Sequence, residues 1–152
     1  RFCQVTGVQT CALPISIGKQ SLYYSGRLRG QLNGTRLLPH DQLAIGGQGS
    51  IRGFDGTMNL VAERGFVWRN ELGWNIAQEN ELYAFLDVGQ VSGPSVEELV
   101  DQRLVGAGLG VRGQHRLFGL LQYDLFAGVP LSHPDDFQSD EITVGFMLNY
   151  VL

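Results

Sequence analysis

The residues of this 152-residue chain best suited to chemistry are one arginine inside a glycine-rich segment and an aspartate further along. Residues 46–56, which we call the glycine loop, hold five glycines, with Arg52 near their middle. Glycine at this density predicts neither helix nor regular strand, because its backbone loses too much entropy there, so we expect a tightly folded loop. An arginine among glycines and apolar residues needs a partner for its charge. Asp87, in the strand-like segment 85–89, is a candidate.

The other ionisable residues favour a pore lining over catalysis. No Lys-Ser/Thr follows the glycines, as in a phosphate-binding loop, and no strand–turn–helix pattern surrounds them, as in a nucleophile elbow. The alternation described below puts acids and arginines together on one face of a sheet: Glu71, Asp87, Asp124, Glu141, Arg27, Arg29, Arg69 and Arg112. The alternative is that the sheet closes into a barrel and these acids act as the catalytic groups of a hydrolase inside it. We predict a mixed-charge lining, no enzyme and no cofactor.

Residues 1–16 resemble the translation of a sequencing-library adapter rather than natural protein sequence. A signal-peptide remnant is the alternative, but Gln4, Thr6, Gln9 and Pro14 interrupt the continuous apolar run that a signal peptide needs. We therefore expect residues 1–16 to be non-native, with no fixed place in the fold. Residues 17–152 are then the domain to be explained.

The cysteines, the histidines and the net charge argue against several kinds of site. Cys3 and Cys11 both lie in the adapter-like segment, and His40, His115 and His133 are scattered among predicted loops and turns, so no disulfide or metal site is expected. The net charge is −4 with no basic patch, so no nucleic-acid partner is expected. No segment approaches the roughly 18 apolar residues of a membrane-spanning helix, which does not bear on membrane strands.

Apolar and polar residues alternate along most of the chain, which predicts β-strands with two distinct faces. Six segments show the pattern: 20–32, 66–76, 82–89, 103–113, 122–131 and 141–152. The connections alternate in length, with short turns near 77–80 and 114–116 and long loops near 34–63, 93–102 and 132–140. Residues 94–99 form at most a short helical turn inside one of these loops. This pattern predicts an antiparallel up-and-down meander.

A soluble β-sandwich with one wet face is the alternative to a membrane barrel. Several segments run for ten to twelve residues, whereas strands of soluble proteins run for about five to six. Aromatic residues also fall where an interfacial girdle could form: Trp68, Trp74, Tyr123 and Tyr150. The sequence therefore favours a transmembrane β-barrel, with six strands present.

The glycine loop resembles the VRGY/F motif of two-partner secretion transporters, the TpsB or haemolysin secretion/activation (ShlB/FhaC/HecB) family. Ile51 stands in the valine position and Phe54 in the aromatic position. Further matching segments occur in family order: 30–31, 38–47, 69–72, 84–89, 106–110 and 128–131. The resemblance implies the last six strands of an outer-membrane barrel that has sixteen strands in the family, so this chain would be an incomplete barrel.

The resemblance also implies a site. The loop would fold back into the lumen, where Arg52 would pair with Asp87 on the lumen face and Ile51 and Phe54 would anchor it. The residues assigned to this lock are Gly46, Gly47, Ile51, Arg52, Gly53, Phe54 and Asp87. Glycines on the lumen face would form a groove for the loop: Gly89, Gly106, Gly108 and Gly110.

The C-terminal strand is similar to a barrel-assembly signal, carried by Thr143, Gly145, Leu148, Tyr150 and Leu152. Leu152 departs from the terminal phenylalanine that is usual in the family. The implied function is to pass a haemolysin- or adhesin-type exoprotein across the bacterial outer membrane, with membrane lipid and the barrel-assembly machinery as further partners. A barrel-assembly factor of the same superfamily, or a plain porin, are the alternatives.

Overall fold

The computed structural model describes residues 5–17, 20–77, 79–94, 103–116 and 118–152. In these ranges the strands are β1 (Val5–Ile17), β2 (Gln20–Leu32), β3 (Leu43–Ile45), β4 (Leu60–Ala62), β5 (Arg64–Ala77), β6 (Asn80–Ser92), β7 (Arg103–Arg116), β8 (Leu120–Ser132) and β9 (Thr143–Val151). Seven form one antiparallel sheet in the order β1-β2-β5-β6-β7-β8-β9, and β3 pairs with β4 separately. A 3-10 turn at Pro39–Asp41 precedes β3. The predicted all-β antiparallel meander is confirmed.

The six predicted strands are present, and four of them are longer than predicted. β7 continues to Arg116, which pairs with Leu120 of β8, so the predicted turn over 114–116 is wrong. Hydrophobic alternation marks only the central part of a strand, whereas backbone pairing continues into polar residues at its end. Two other predicted connections, 77–80 and 93–102, lie partly outside the described residues, as does the proposed helical turn over 94–99.

The large sheet has one exposed apolar face, which we call the outer face. Its side chains include Trp68, Leu72, Leu109, Val144 and Phe146, which are between 47% and 79% exposed. Within the described ranges, no helix is long and apolar enough to cross a membrane.

The opposite, inner face is covered by the long connection between β2 and β5. The buried cluster on this face combines loop residues with sheet residues: Leu43, Ile45, Ile51, Phe54, Ala62, Val67, Val91, Leu104 and Phe137. Burying this apolar surface holds the connection against the sheet. The core of the protein therefore lies between the inner face of the large sheet and this connection, which includes the small β3–β4 sheet.

Aromatic rings of the inner face pack over glycines directly opposite on the next strand. The cross-strand pairs are Tyr23 with Gly73, Tyr83 with Gly110, Phe85 with Gly108, and Phe126 with Gly145. A Cβ added at any of these four glycines would overlap the ring that covers it. In such pairs the ring fills the space above a strand position that lacks a side chain, and the pairing helps to set the register.

The sheet has seven strands where six were expected, because Val5–Ile17 forms β1 and pairs with β2 from Val5 opposite Leu32 to Ile17 opposite Gln20. The expectation that residues 1–16 have no place in the fold is therefore not met. An open edge strand presents unpaired N–H and C=O groups, and any extended segment can pair with them, whatever its side chains. Residues 7–13, the part of β1 whose side chains are described, are exposed and lie outside the buried cluster.

Removing residues 1–16 is expected to leave the rest of the fold unchanged, because β1 adds backbone pairing at an edge and its described side chains, 7–13, are exposed. Circular dichroism and limited proteolysis with mass spectrometry, on full and trimmed chains in the same detergent, measure this. The same protected fragments should appear in both samples. A trimmed chain without its β-sheet signal would show that residues 1–16 are part of the native sheet.

Candidate functional site

Two glycines and one serine determine the shape of the glycine loop. Gly46 has φ 133° and Gly53 has φ 102°, a region that other residues rarely adopt. A Cβ at Gly46 would also lie 2.5 Å from the Met58 carbonyl oxygen. The Ser50 hydroxyl accepts hydrogen bonds from the backbone N–H groups of Gly46 and Gly47, at 3.1 and 3.2 Å. This compact turn presents Arg52 towards the sheet.

Arg52 is bound to Asp87 by three hydrogen bonds. Its Nε lies 2.8 Å from Oδ2 and its Nη2 lies 2.9 Å from Oδ1, which is a bidentate pair. The backbone N–H of Arg52 also donates to Oδ2, at 3.0 Å. Arg52 is 5% exposed and Asp87 is fully buried. The contact predicted between these two residues is therefore present, and the main-chain bond fixes the loop backbone as well as the side chain.

A second carboxylate, Glu71 of β5, completes the partners of Arg52. Arg52 Nη1 donates to Glu71 Oε2 at 2.8 Å. The other Glu71 oxygen contacts Arg112 of β7, and Arg112 continues to Glu81 of β6 through Nε at 2.8 Å. Arginines and carboxylates thus alternate from the loop across three strands. The sequence placed Glu71 on the inner face by alternation, but it gave no sign that Glu71 binds Arg52.

Aromatic faces cover the Arg52 guanidinium. Its Cζ lies 4.1 Å from the centroid of the Phe85 ring and 6.0 Å from that of Tyr83, both within the range of a cation–π contact. Tyr83 is held in place by its hydroxyl, which donates to Asp124 at 2.5 Å. Sequence reasoning missed this role, although alternation along segment 82–89 puts both rings on the same face as Asp87.

The charge of Arg52 is stabilised although the residue is buried. Burial by itself lowers the pKa of an arginine, but the hydrogen bonds and charges of Asp87 and Glu71 outweigh it and raise the pKa of Arg52 above its ordinary value. Among the described residues, no buried side-chain nitrogen or oxygen lacks a hydrogen-bond partner. The site is thus a fully paired polar cluster within an apolar surrounding, which is rigid and specific.

Apolar contacts and a close backbone approach hold the loop on either side of Arg52. Ile51 and Phe54 are both completely buried, and the Phe54 ring meets Phe137 edge-on at 5.6 Å between centroids. A Cβ at Gly106 would overlap the Arg52 carbonyl oxygen, and one at Gly89 would lie 2.5 Å from Ile51 Cδ1. Phe137, from the loop before β9, was not identified from the sequence because nothing in that loop marks it as buried.

The predicted glycine groove is divided in the structure. Gly89 and Gly106 make room for the loop, whereas the space above Gly108 and Gly110 is filled by the rings of Phe85 and Tyr83. The latter two glycines therefore support the rings that cover Arg52 and do not form part of the groove. Sequence alternation gave the correct face for all four, but the cross-strand register decides which neighbour each glycine meets.

The predicted assembly residues lie on both faces of β9. Thr143 is buried on the inner face and its hydroxyl donates to the Gly53 carbonyl at 3.3 Å. Gly145 lies under the Phe126 ring. Leu148, Tyr150 and Leu152 are exposed, the last at 94%. Thr143 is therefore in contact with the glycine loop.

Comparison with known proteins gives the family. The model of the haemolysin secretion/activation protein ShlB/FhaC/HecB family matches residues 1–113, a range that includes β1. The chain therefore belongs to the ShlB/FhaC/HecB family of haemolysin secretion/activation proteins.

Its relatives are named as transporters of the outer membrane. Outer membrane transporter CdiB-2 of Burkholderia pseudomallei strain 1026b is 41% identical over 150 residues, covering 97% of this chain and 26% of that protein. Outer membrane transporter CdiB of Dickeya dadantii strain 3937 is 31% identical over 131 residues, covering 83% and 23%. The solved structure of CdiB from Acinetobacter baumannii superimposes with a TM-score of 0.87 at 27% identity, covering 99% of this chain and 27% of that one. This chain thus spans about a quarter of the length of these relatives.

Gly106→Ala is expected to displace the glycine loop, because the added methyl group overlaps the Arg52 carbonyl. Overpacking of this kind costs about 1–3 kcal/mol, enough to populate the displaced loop. Trypsin cleavage after Arg52, read by mass spectrometry on the full-length transporter, should rise, while cleavage after the exposed Arg36 in the same connection stays constant. The matched control is Gly30→Ala, whose nearest neighbour is 3.8 Å away. Equal cleavage in both variants would contradict this packing.

Arg52→Ala is expected to release the loop, because it leaves a buried Asp87 without its partner, a loss of about 3–5 kcal/mol. Asp87→Asn should be milder, since the amide oxygen still accepts a hydrogen bond and Glu71 remains. The double variant should be no worse than Arg52→Ala. Chymotrypsin cleavage after Phe54 measures the release, with Arg36→Ala as control. Additive effects of the two substitutions would show that the residues do not act as a unit.

Proposed function

We propose that this chain is the C-terminal part of the barrel of an outer-membrane transporter that secretes a partner polypeptide of the haemolysin or adhesin type. The observation that carries the proposal is the glycine loop, held on the inner face through a buried arginine in a sheet that superimposes on part of CdiB. Its relatives are named as outer membrane transporters, which supports the same location and activity.

The two faces of the sheet support a barrel wall in a membrane. The outer face exposes large apolar side chains suited to lipid, whereas the inner face carries the arginine–carboxylate cluster suited to a polar lumen. Outer-membrane lipid is therefore the proposed partner of the outer face. Leu148 and Tyr150 of β9 and Leu152 directly after it are exposed, and they are proposed contacts of the barrel-assembly machinery during insertion.

The lock supplies a mechanism for keeping the inner face in one arrangement during transport. Three hydrogen bonds to Asp87, one to Glu71 and the burial of Ile51 and Phe54 hold the loop against the wall. A loop held this way leaves a defined passage for an extended polypeptide, whereas a loose loop would occupy that passage in many conformations. The cluster therefore positions the loop and takes no part in bond-making chemistry.

A catalytic role is not proposed, because the acids nearest to Arg52 and Arg112 are used in structural pairs. Asp87 and Glu71 bind Arg52, Glu81 binds Arg112, and Asp124 accepts from Tyr83. A general acid or base needs access to a substrate proton, and Asp87 in particular is fully buried.

The full-length transporter, produced together with its partner polypeptide, tests the proposal. Wild type should release the partner into the medium. Arg52→Ala should lower the amount released about tenfold or more, because the expected loss of about 3–5 kcal/mol exceeds the 1.4 kcal/mol of one tenfold change. Membrane insertion should persist, seen as heat-modifiable mobility on a gel, and Arg36→Ala should secrete normally. Normal secretion by Arg52→Ala, or no secretion by wild type, would refute the proposal.

A further inference from the structure

Three arginines lie beside the glycine loop: Arg27 and Arg29 take no part in the lock, and Arg69 touches it only through a longer contact with Asp87. Arg27 and Arg29 project from the inner face of β2, and Arg69 on β5 lies directly opposite Arg27 in the cross-strand register. Like charges directly opposite each other on one face of a sheet repel. This part of the inner face therefore carries a concentration of positive charge.

The nearby carboxylates are already engaged elsewhere. Asp87 is bonded three times by Arg52, and its Oδ2 lies 3.6 Å from Arg69 Nε. Glu71 lies between Arg52 and Arg112. Across the described part of the chain, neither Arg27 nor Arg29 has a carboxylate within 4.0 Å. An arginine pair without acids attracts anions from outside the chain.

A cavity of about 400 Å³ separates these arginines from the loop. Its lining combines Arg27, Arg29 and Arg69 of the strands with Gly49 and Ser50 of the loop, and no carboxylate of the described residues is part of it. A Cβ at Gly49 would meet nothing within 4 Å, so the loop leaves this side open. A second cavity of about 270 Å³ shares Arg27 and Arg69 and continues towards Arg112, with Glu71 and Asp124 in its lining.

We propose that Arg27, Arg29 and Arg69 form an anion-binding site that takes the carboxylate side chains of the polypeptide passing along the inner face. This inference rests on the secretion function proposed above. A guanidinium offers a carboxylate two parallel N–H donors, so three of them can hold one acidic side chain in several geometries. Arg27 and Arg29 are exposed, so each contact is screened by water and weak. A site for a moving chain must bind weakly enough to release it.

An inorganic anion has the same chemistry as a side-chain carboxylate, so the experiment separates the two. The full-length transporter is reconstituted in planar bilayers, and its current is recorded with hexaglutamate, hexalysine or sulfate added. The test variant is Arg27→Gln/Arg29→Gln. Arg27→Lys/Arg29→Lys keeps the charge, and Arg64→Gln removes an arginine from the outer face as the matched control.

Hexaglutamate should block wild-type current, and Arg27→Gln/Arg29→Gln should need about tenfold more of it, because a cleft of one charge raises counter-ion concentration about tenfold or more. The lysine variant should keep most of the block, and Arg64→Gln should equal wild type. Equal hexaglutamate block in all variants overturns the site. A loss of sulfate block without any loss of hexaglutamate block assigns the site to inorganic anions and overturns the assignment to the polypeptide.

Secretion supplies the second readout. Arg27→Gln/Arg29→Gln should slow release of the natural partner, and should leave unchanged the release of a partner whose acidic residues are replaced by their amides. Equal slowing of both partners overturns the inference, because the arginines would then act on the transporter itself. A wild-type transporter that fails to secrete refutes the proposed function instead, and the hexaglutamate measurement then decides the anion site alone.

Discussion

The structure depends on the buried positive charge of Arg52. A guanidinium taken out of water in this apolar surrounding is tolerated only when its donors are paired. Asp87 and Glu71 supply the negative charge, the loop backbone adds a third bond to Asp87, and the Phe85 ring covers the cation from one side. Because each partner lies on a different strand, the arginine can be satisfied only when β5 and β6 are in their correct register. The ion pair thus ties the loop conformation to the sheet.

Register is the second constraint, since it brings a row of residues together across the sheet. Arg69, Asp87 and Gly106 are direct cross-strand neighbours on β5, β6 and β7. Asp87 takes the arginine side chain, and Gly106 beside it admits the arginine carbonyl. A slip by one residue would turn every side chain of a strand to the other face. The aromatic rings packed over glycines on the next strand resist such a slip. The same strand register therefore sets both the packing of the sheet and the geometry of the site.

Positive charge is distributed unevenly on the inner face. Arg52 and Arg112 are paired with acids, whereas Arg27 and Arg29 face an open cavity. The paired set is buried or half-buried and holds the loop, which suits a permanent structural role. The unpaired set is exposed and weakly constrained, which suits transient contact with a passing anion. One face of one sheet thus combines a rigid, paired set of charges with an exposed set, the latter being the proposed contact for a passing polypeptide.

The sequence by itself determined six strands of the large sheet and their two faces, because alternation is a local signal. The glycine-rich interruption marked Arg52, Asp87 was a candidate for its partner, and the family resemblance implied the lock between them. The sequence also placed Gly108 and Gly110 on the inner face, but it did not predict that aromatic rings cover them. Only the tertiary structure decided that Glu71 binds Arg52, that Phe137 covers Phe54, and that β1 pairs along the edge of β2. These contacts join residues up to 83 positions apart, as for Phe54 and Phe137 (137 minus 54). They follow from register and loop closure, which no local pattern of side chains encodes.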